Sequence, residues 1–71
     1  MLLYETETKE MIFDNIEERD EVMRMYESMG WEILDTSTSH FPLFNAKGKL
    51  TTLTRYYLTV SRHLNLLKMK G

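Results

Sequence analysis

Residues 14 to 31 carry a full set of helix-bracketing signals, and they leave the remainder of a 71-residue chain to form strands around one helix. Asp14 and Asn15 each precede a glutamate by three residues, Glu17 and Glu18, the spacing at which a cap and a carboxylate satisfy each other's free backbone N–H groups. A helix over about 16–29 follows. Val22, Met25, Tyr26 and Met29 recur at i, i+3, i+4 and i+7 as its apolar stripe, while Glu17, Glu21, Arg24 and Glu27 populate the solvent side. Asp20 and Arg24 are spaced to pair at i, i+4. Gly30 stands where the chain needs a left-handed residue to leave the helix, which turns the ring of Trp31 back against Tyr26.

The segments on either side read as strands. Residues 2 to 13 alternate, with Leu2, Tyr4, Thr6, Thr8 and Ile12 on one side and Glu5, Glu7 and Lys9 on the other. Glu10, Met11 and Phe13 break that phase, which a bulge near Lys9 or an early strand end would explain. Asn45-Ala46-Lys47-Gly48 makes a four-residue connection in which Phe44 faces Lys49, so strands over about 31–44 and 49–62 form a long hairpin. In that register Trp31 faces Arg62, Ile33 faces Val60, Asp35 faces Leu58, Ser37 faces Tyr56, Phe41 faces Thr52 and Leu43 faces Leu50, all on one face. The expected fold is α+β, in the order β-α-β-β, with one helix packed on an antiparallel sheet.

Strands of a dozen residues span on the order of 40 Å, against about 21 Å for a 14-residue helix. The distal arm, with Phe41, Leu43, Phe44, Leu50 and Leu53, is therefore expected to project past the helix as a partner surface. Residues 63–71, with Leu64, Leu66, Leu67 and Met69, read as a short helix, a continued strand or a flexible or swapped arm.

A chain of this length is one domain with a thin core, and with no cysteine neither a disulfide nor a thiolate metal site reinforces it. Oligomerisation is the remaining means. The opening residues lack a secretory pattern and no apolar run spans a bilayer, so a cytoplasmic protein without membrane contact is expected. The net charge of −2 conceals a division: eleven acids against three cations give −8 in residues 1–40, and six cations with no acid give +6 in residues 41–71. Either the halves neutralise each other within one fold, or they mark contact with nucleic acid or with a second copy.

At Tyr26-Glu27-Ser28-Met29-Gly30-Trp31-Glu32-Ile33-Leu34 the sequence resembles a family of small bacterial and phage domains of unknown function, whose signature is a helix, Gly-Trp-Glu-Leu and two strands. The helix exit here has Gly30 alone, where the family carries two glycines. The resemblance supports the β-α-β-β order and implies no activity. Together with the size of the chain it implies an accessory or inhibitory protein of a phage or other mobile element, with a host protein as one partner.

No residue set points to an enzyme, a metal or a cofactor. His40 lies near the turn and His63 about 33 Å further along the same hairpin, too far apart to cooperate in one subunit. The hydroxyls Thr36-Ser37-Thr38-Ser39 lack a base and read as a cross-strand ladder with Thr52 and Thr54. Asp35 is placed inward at the open edge of the core. Glu17, Glu18, Asp20 and Glu21 lack calcium-loop spacing and read as a solvated helix face. The function expected is a non-enzymatic interaction module that self-associates through the hairpin, with Phe41, Leu43, Phe44, Leu50, Leu53 and Tyr57 as partner contacts and Lys49 and Arg55 beside them. The alternative is a nucleic-acid-binding accessory protein using Lys47, Lys49, Arg55 and Arg62, with a base stacked on Tyr57.

Overall fold

A computed structural model describes residues 4–65, in the order β1 (Tyr4–Phe13), α1 (Ile16–Ser28), β2 (Glu32–Asp35), β3 (Thr38–Phe44) and β4 (Leu50–Asn65). The α+β class with one helix and a long hairpin is as expected; the first hairpin strand is divided in two. β4 is the spine of the antiparallel sheet. β1 runs along one of its sides, while β2 and β3 share the other.

The helix boundaries follow from the caps. The Glu18 N–H donates to Asn15 Oδ1 at 3.1 Å, so Asn15 rather than Asp14 is the cap. At the other end Gly30 takes φ +89°, its N–H donates to the Glu27 carbonyl, and the Trp31 N–H donates to the Tyr26 carbonyl at 3.0 Å. These are the two bonds of a Schellman exit, and they bring the Trp31 ring edge-on to Tyr26 with centroids 5.1 Å apart.

The helix face is rotated from the expected stripe. Val22, Met23 and Tyr26 pack on the core and Arg19 is buried beside them, whereas Met25 and Met29 are about half exposed. Arg19 tolerates burial because its guanidinium donates to the Thr36 carbonyl at 2.9 Å, pairs with Asp20 at 2.9 Å and lies over the Tyr56 ring. Asp20 thus pairs with its neighbour Arg19.

Two one-residue irregularities set the hairpin register. The turn is tighter than expected: the Gly48 N–H donates to the Asn45 carbonyl, the Asn45 N–H donates to the Lys49 carbonyl, and Gly48 sits at φ +77°. A turn followed by a left-handed glycine adds a bulge, so Phe44 faces Leu50 and His40 faces Thr54. The second irregularity lies between Ile33 and Asp35, where Leu34 is the extra residue. It undoes the first shift, so Ile33 faces Val60 as expected while everything distal to it is displaced.

The displacement corrects several expected positions. Phe41 faces Leu53 and Leu43 faces Thr51, on the sheet face away from the helix. Asp35 faces Thr59 on that same face, where it accepts a hydrogen bond from Ser37 Oγ, and not inward at the edge of the core. β1 corrects another reading. It pairs with β4 in one register from Tyr4 to Phe13 without a bulge, and its Glu7, Lys9, Met11 and Phe13 side faces the helix. Lys9 belongs there because its ammonium lies 5.5 Å from the Trp31 ring centroid and 5.9 Å from that of Tyr26, its stem covering apolar surface.

Among the described residues, Trp31, Leu58 and Val60 are the buried hydrophobic ones, with Met11, Phe13, Val22, Met23, Tyr26 and Ile33 packed around them. This core occupies only the proximal half of β4, beneath the helix. Residues 63–65, expected in the tail, continue β4 against β1; residues 1–3 and 66–71, with Leu2, Leu66, Leu67 and Met69, lie outside the described residues. No helix among the described residues is long and apolar enough to cross a membrane.

Candidate interaction surface

Past Tyr56, where β1 ends, β4 and β3 continue as a two-stranded ribbon on which none of the described residues forms a helix. The ribbon carries all six expected partner-contact positions except Tyr57, but it does not gather them on one face. Phe41, Leu43 and Leu53 share the face away from the helix, and Tyr57 continues it toward the proximal half. Phe44 and Leu50 face each other on the opposite side, 72% and 67% exposed. The ribbon is apolar on both faces near its tip, and no described element covers either face.

The open face also carries an exposed apolar residue that the sequence did not single out. Ile12 lies opposite Tyr57 and is 60% exposed. The alternation in β1 set Ile12 on one side of the strand without saying which side is inward; pairing with β4 turns it away from the helix. Arg55 lies on this face with its guanidinium 5.7 Å from the Phe41 ring centroid, so its stem thickens the apolar strip. A shallow depression of about 510 Å³, lined by Ile12, Phe13, Asp14, Glu18, Leu53 and Arg55, opens where β1 stops and the ribbon begins. A second, of about 520 Å³, runs between Glu10 and Ile12 on one side and Asp35 and Ser37 on the other.

The four cations of the nucleic-acid reading are scattered. Lys47 and Lys49 flank the tip, Arg55 is on the open face, and Arg62 is on the helix side, 4.7 Å from the Trp31 ring centroid and paired with Glu7 at 2.7 Å. From Lys49 to Arg62 the strand runs about 43 Å at 3.3 Å per residue.

The two histidines are not brought together either. His40 Nδ1 and Thr54 Oγ1 are hydrogen-bonded at 3.0 Å, and His63 Nδ1 and Thr6 Oγ1 at 3.1 Å, so each histidine is engaged across its own strand pair. The two pairs lie nine β4 positions apart and on opposite faces. Among the described residues no three histidines or carboxylates are close enough to hold a metal ion. No protein-family model, curated protein or solved structure matches this chain.

Proposed function

We propose that this protein is a non-enzymatic interaction module that associates with a second copy of itself through the long β-hairpin. The observation that carries this reading is the uncovered ribbon of β3 and distal β4, apolar at its tip on both faces. A two-stranded ribbon alone in water is marginally stable at best. Its order calls for further strands or a covering surface.

The dimensions support the same reading. The radius of gyration is 17.7 Å, against about 11 Å for a globular chain of 71 residues. The accessible surface of 5701 Å² exceeds by about 1,000 Å² what a compact monomer of this mass exposes. That excess is close to the ~800 Å² that one partner contributes to a standard interface.

Sedimentation equilibrium over a concentration series from micromolar to near-millimolar tests the proposal. A reversible increase in mass to that of a dimer or higher oligomer is expected. A monomer throughout the range would overturn it.

A further inference from the structure

We infer that two copies join edge to edge, antiparallel, along Leu50–Thr54 of β4, across a two-fold axis beside Thr52. This rests on the self-association proposed above and specifies its surface. The backbone directions lead to it. The Tyr57 N–H donates to the Ser37 carbonyl and the Lys49 carbonyl accepts from Asn45, so odd-numbered residues of β4 direct their backbone groups toward the β2 and β3 side. Even-numbered residues direct theirs the other way. From Tyr56 onward that other side is occupied by β1. From Leu50 to Thr54 no described strand lies against it, and Leu50, Thr52 and Thr54 present their N–H and C=O groups to an empty lane.

The other edges of the sheet are guarded and this one is not. The outer edge of β3 carries Pro42, whose position faces away from β4 and which has no N–H to offer a further strand. β1 carries Glu5, Glu7, Lys9 and Glu10, the charges that discourage strand addition. Leu50-Thr51-Thr52-Leu53-Thr54 carries neither charge nor proline.

Antiparallel strands side by side are related by a two-fold axis normal to the sheet, so each residue on the axis meets its own copy. Centring on Thr52 sets Leu50 against the neighbour's Thr54 and employs all three free backbone positions. The same pairing sets Lys49 opposite the neighbour's Arg55 and carries each copy's tip, with Lys47 and Lys49, to the depression at the end of the neighbour's β1. That depression is lined by Asp14 and Glu18 as well as by Arg55, so that two carboxylates stand against the like charge of the cross-strand pair. Glu17 adds a third carboxylate next to Glu18 in the sequence. None of these charged side chains forms an ion pair within its own chain among the described residues. The lane left by the short β1 becomes the seat of the neighbour's strand.

The chain has no cysteine, so single cysteines report the interface directly. In the full chain, Thr52→Cys is expected to form a covalent dimer rapidly under mild oxidation, because residues paired on the axis stand about 5.5 Å apart at Cα, within disulfide range. Thr51→Cys and Leu53→Cys test registers one step away. His40→Cys and Thr8→Cys, on the outer edges of β3 and β1, are expected to remain unlinked. Thr52→Pro removes an N–H that only the neighbour uses, and is expected to give a folded monomer.

Reversible dimers by sedimentation with no cross-link at 51, 52 or 53, or with faster linking at 40 or 8, would overturn the edge pairing and leave self-association standing. A monomeric chain that forms no cross-link would overturn both.

Discussion

Arg19 Nη1 donates to the Thr36 carbonyl oxygen at 2.9 Å, and this bond fastens the first turns of the helix to the connection between β2 and β3. The guanidinium also lies 5.7 Å from the Tyr56 ring centroid, at the level where the core ends and the ribbon begins. Replacing Arg19 with alanine leaves a carbonyl without its donor and Asp20 without its partner. Asp20 is one-third exposed, which limits its share of the loss. A destabilisation of about 1–3 kcal/mol is expected. Arg19→Lys should recover only part of it, since an ammonium cannot reproduce the planar fork. Denaturant unfolding followed by Trp31 fluorescence checks this, and an unchanged midpoint for Arg19→Ala would contradict the fastening role.

Leu58 and Val60 have no exposed surface in a core that has three buried hydrophobic residues among those described. Leu58→Ala should cost about 2–5 kcal/mol. Domains have total stabilities of ~5–15 kcal/mol, and one this small lies toward the lower end. The variant is therefore expected to be largely unfolded at 37 °C by circular dichroism, while Leu34→Ala, at the exposed bulge, should remain folded.

Gly30 and Gly48 both have positive φ, and a Cβ at either would meet nothing within 4 Å. The cost of Gly30→Ala is therefore the left-handed backbone conformation alone, about 1–2 kcal/mol. Asparagine, which tolerates that conformation, should cost less at the same position. Thermal melts of the two variants at one protein concentration give the comparison, and equal losses for alanine and asparagine would point to another cause.

Phe41 and Leu43 belong to the ribbon and not to the core. The Leu50→Ser, Leu53→Ser double variant, on the pairing strand itself, is expected to weaken association about tenfold or more, as loss of apolar anchors does, whereas Phe41→Ser with Leu43→Ser, one strand further from the neighbour, should weaken it less. The helix and proximal sheet should keep their circular dichroism. Sedimentation of both variants beside the native chain reads the effect, and an unaltered dissociation constant for Leu50→Ser, Leu53→Ser would remove these residues from the interface.

Charge reversal probes the tip. Lys47→Glu with Lys49→Glu should weaken association, and adding Asp14→Lys with Glu18→Lys should restore part of it, since the two sets meet only between copies. Coupling in the four variants of that cycle is the measurement. Additive effects would place the tip elsewhere.

What was legible in the sequence and what was not divide by the range of the interactions. The cap at Asn15 and the exit at Gly30 are set by bonds three to five residues apart, and the T-shaped contact between Tyr26 and Trp31 follows from them. The pairing of Ile33 with Val60 was also reached, though only because the left-handed Gly48 and the extra Leu34 each shift the register by one residue and cancel. Between those two points the cancellation does not hold. Phe41 and Leu43 accordingly lie on the face opposite to the one that alternation suggested.

The sequence by itself determined one capped helix, the strands around it, a glycine turn and a division of charge, because each depends on neighbouring residues and on composition. The tertiary structure decided which face each strand buries. The bulge at Leu34 returns Ile33 to the helix side while the distal strand keeps Phe41 and Leu43 on the other, and Lys9 joins the core rim because Trp31 and Tyr26 are there to receive it. It also decided that β1 stops at Tyr56 and leaves one edge of β4 unpaired. A period of two records that residues alternate; only pairing with a distant strand fixes which side is inward and where the pairing ends.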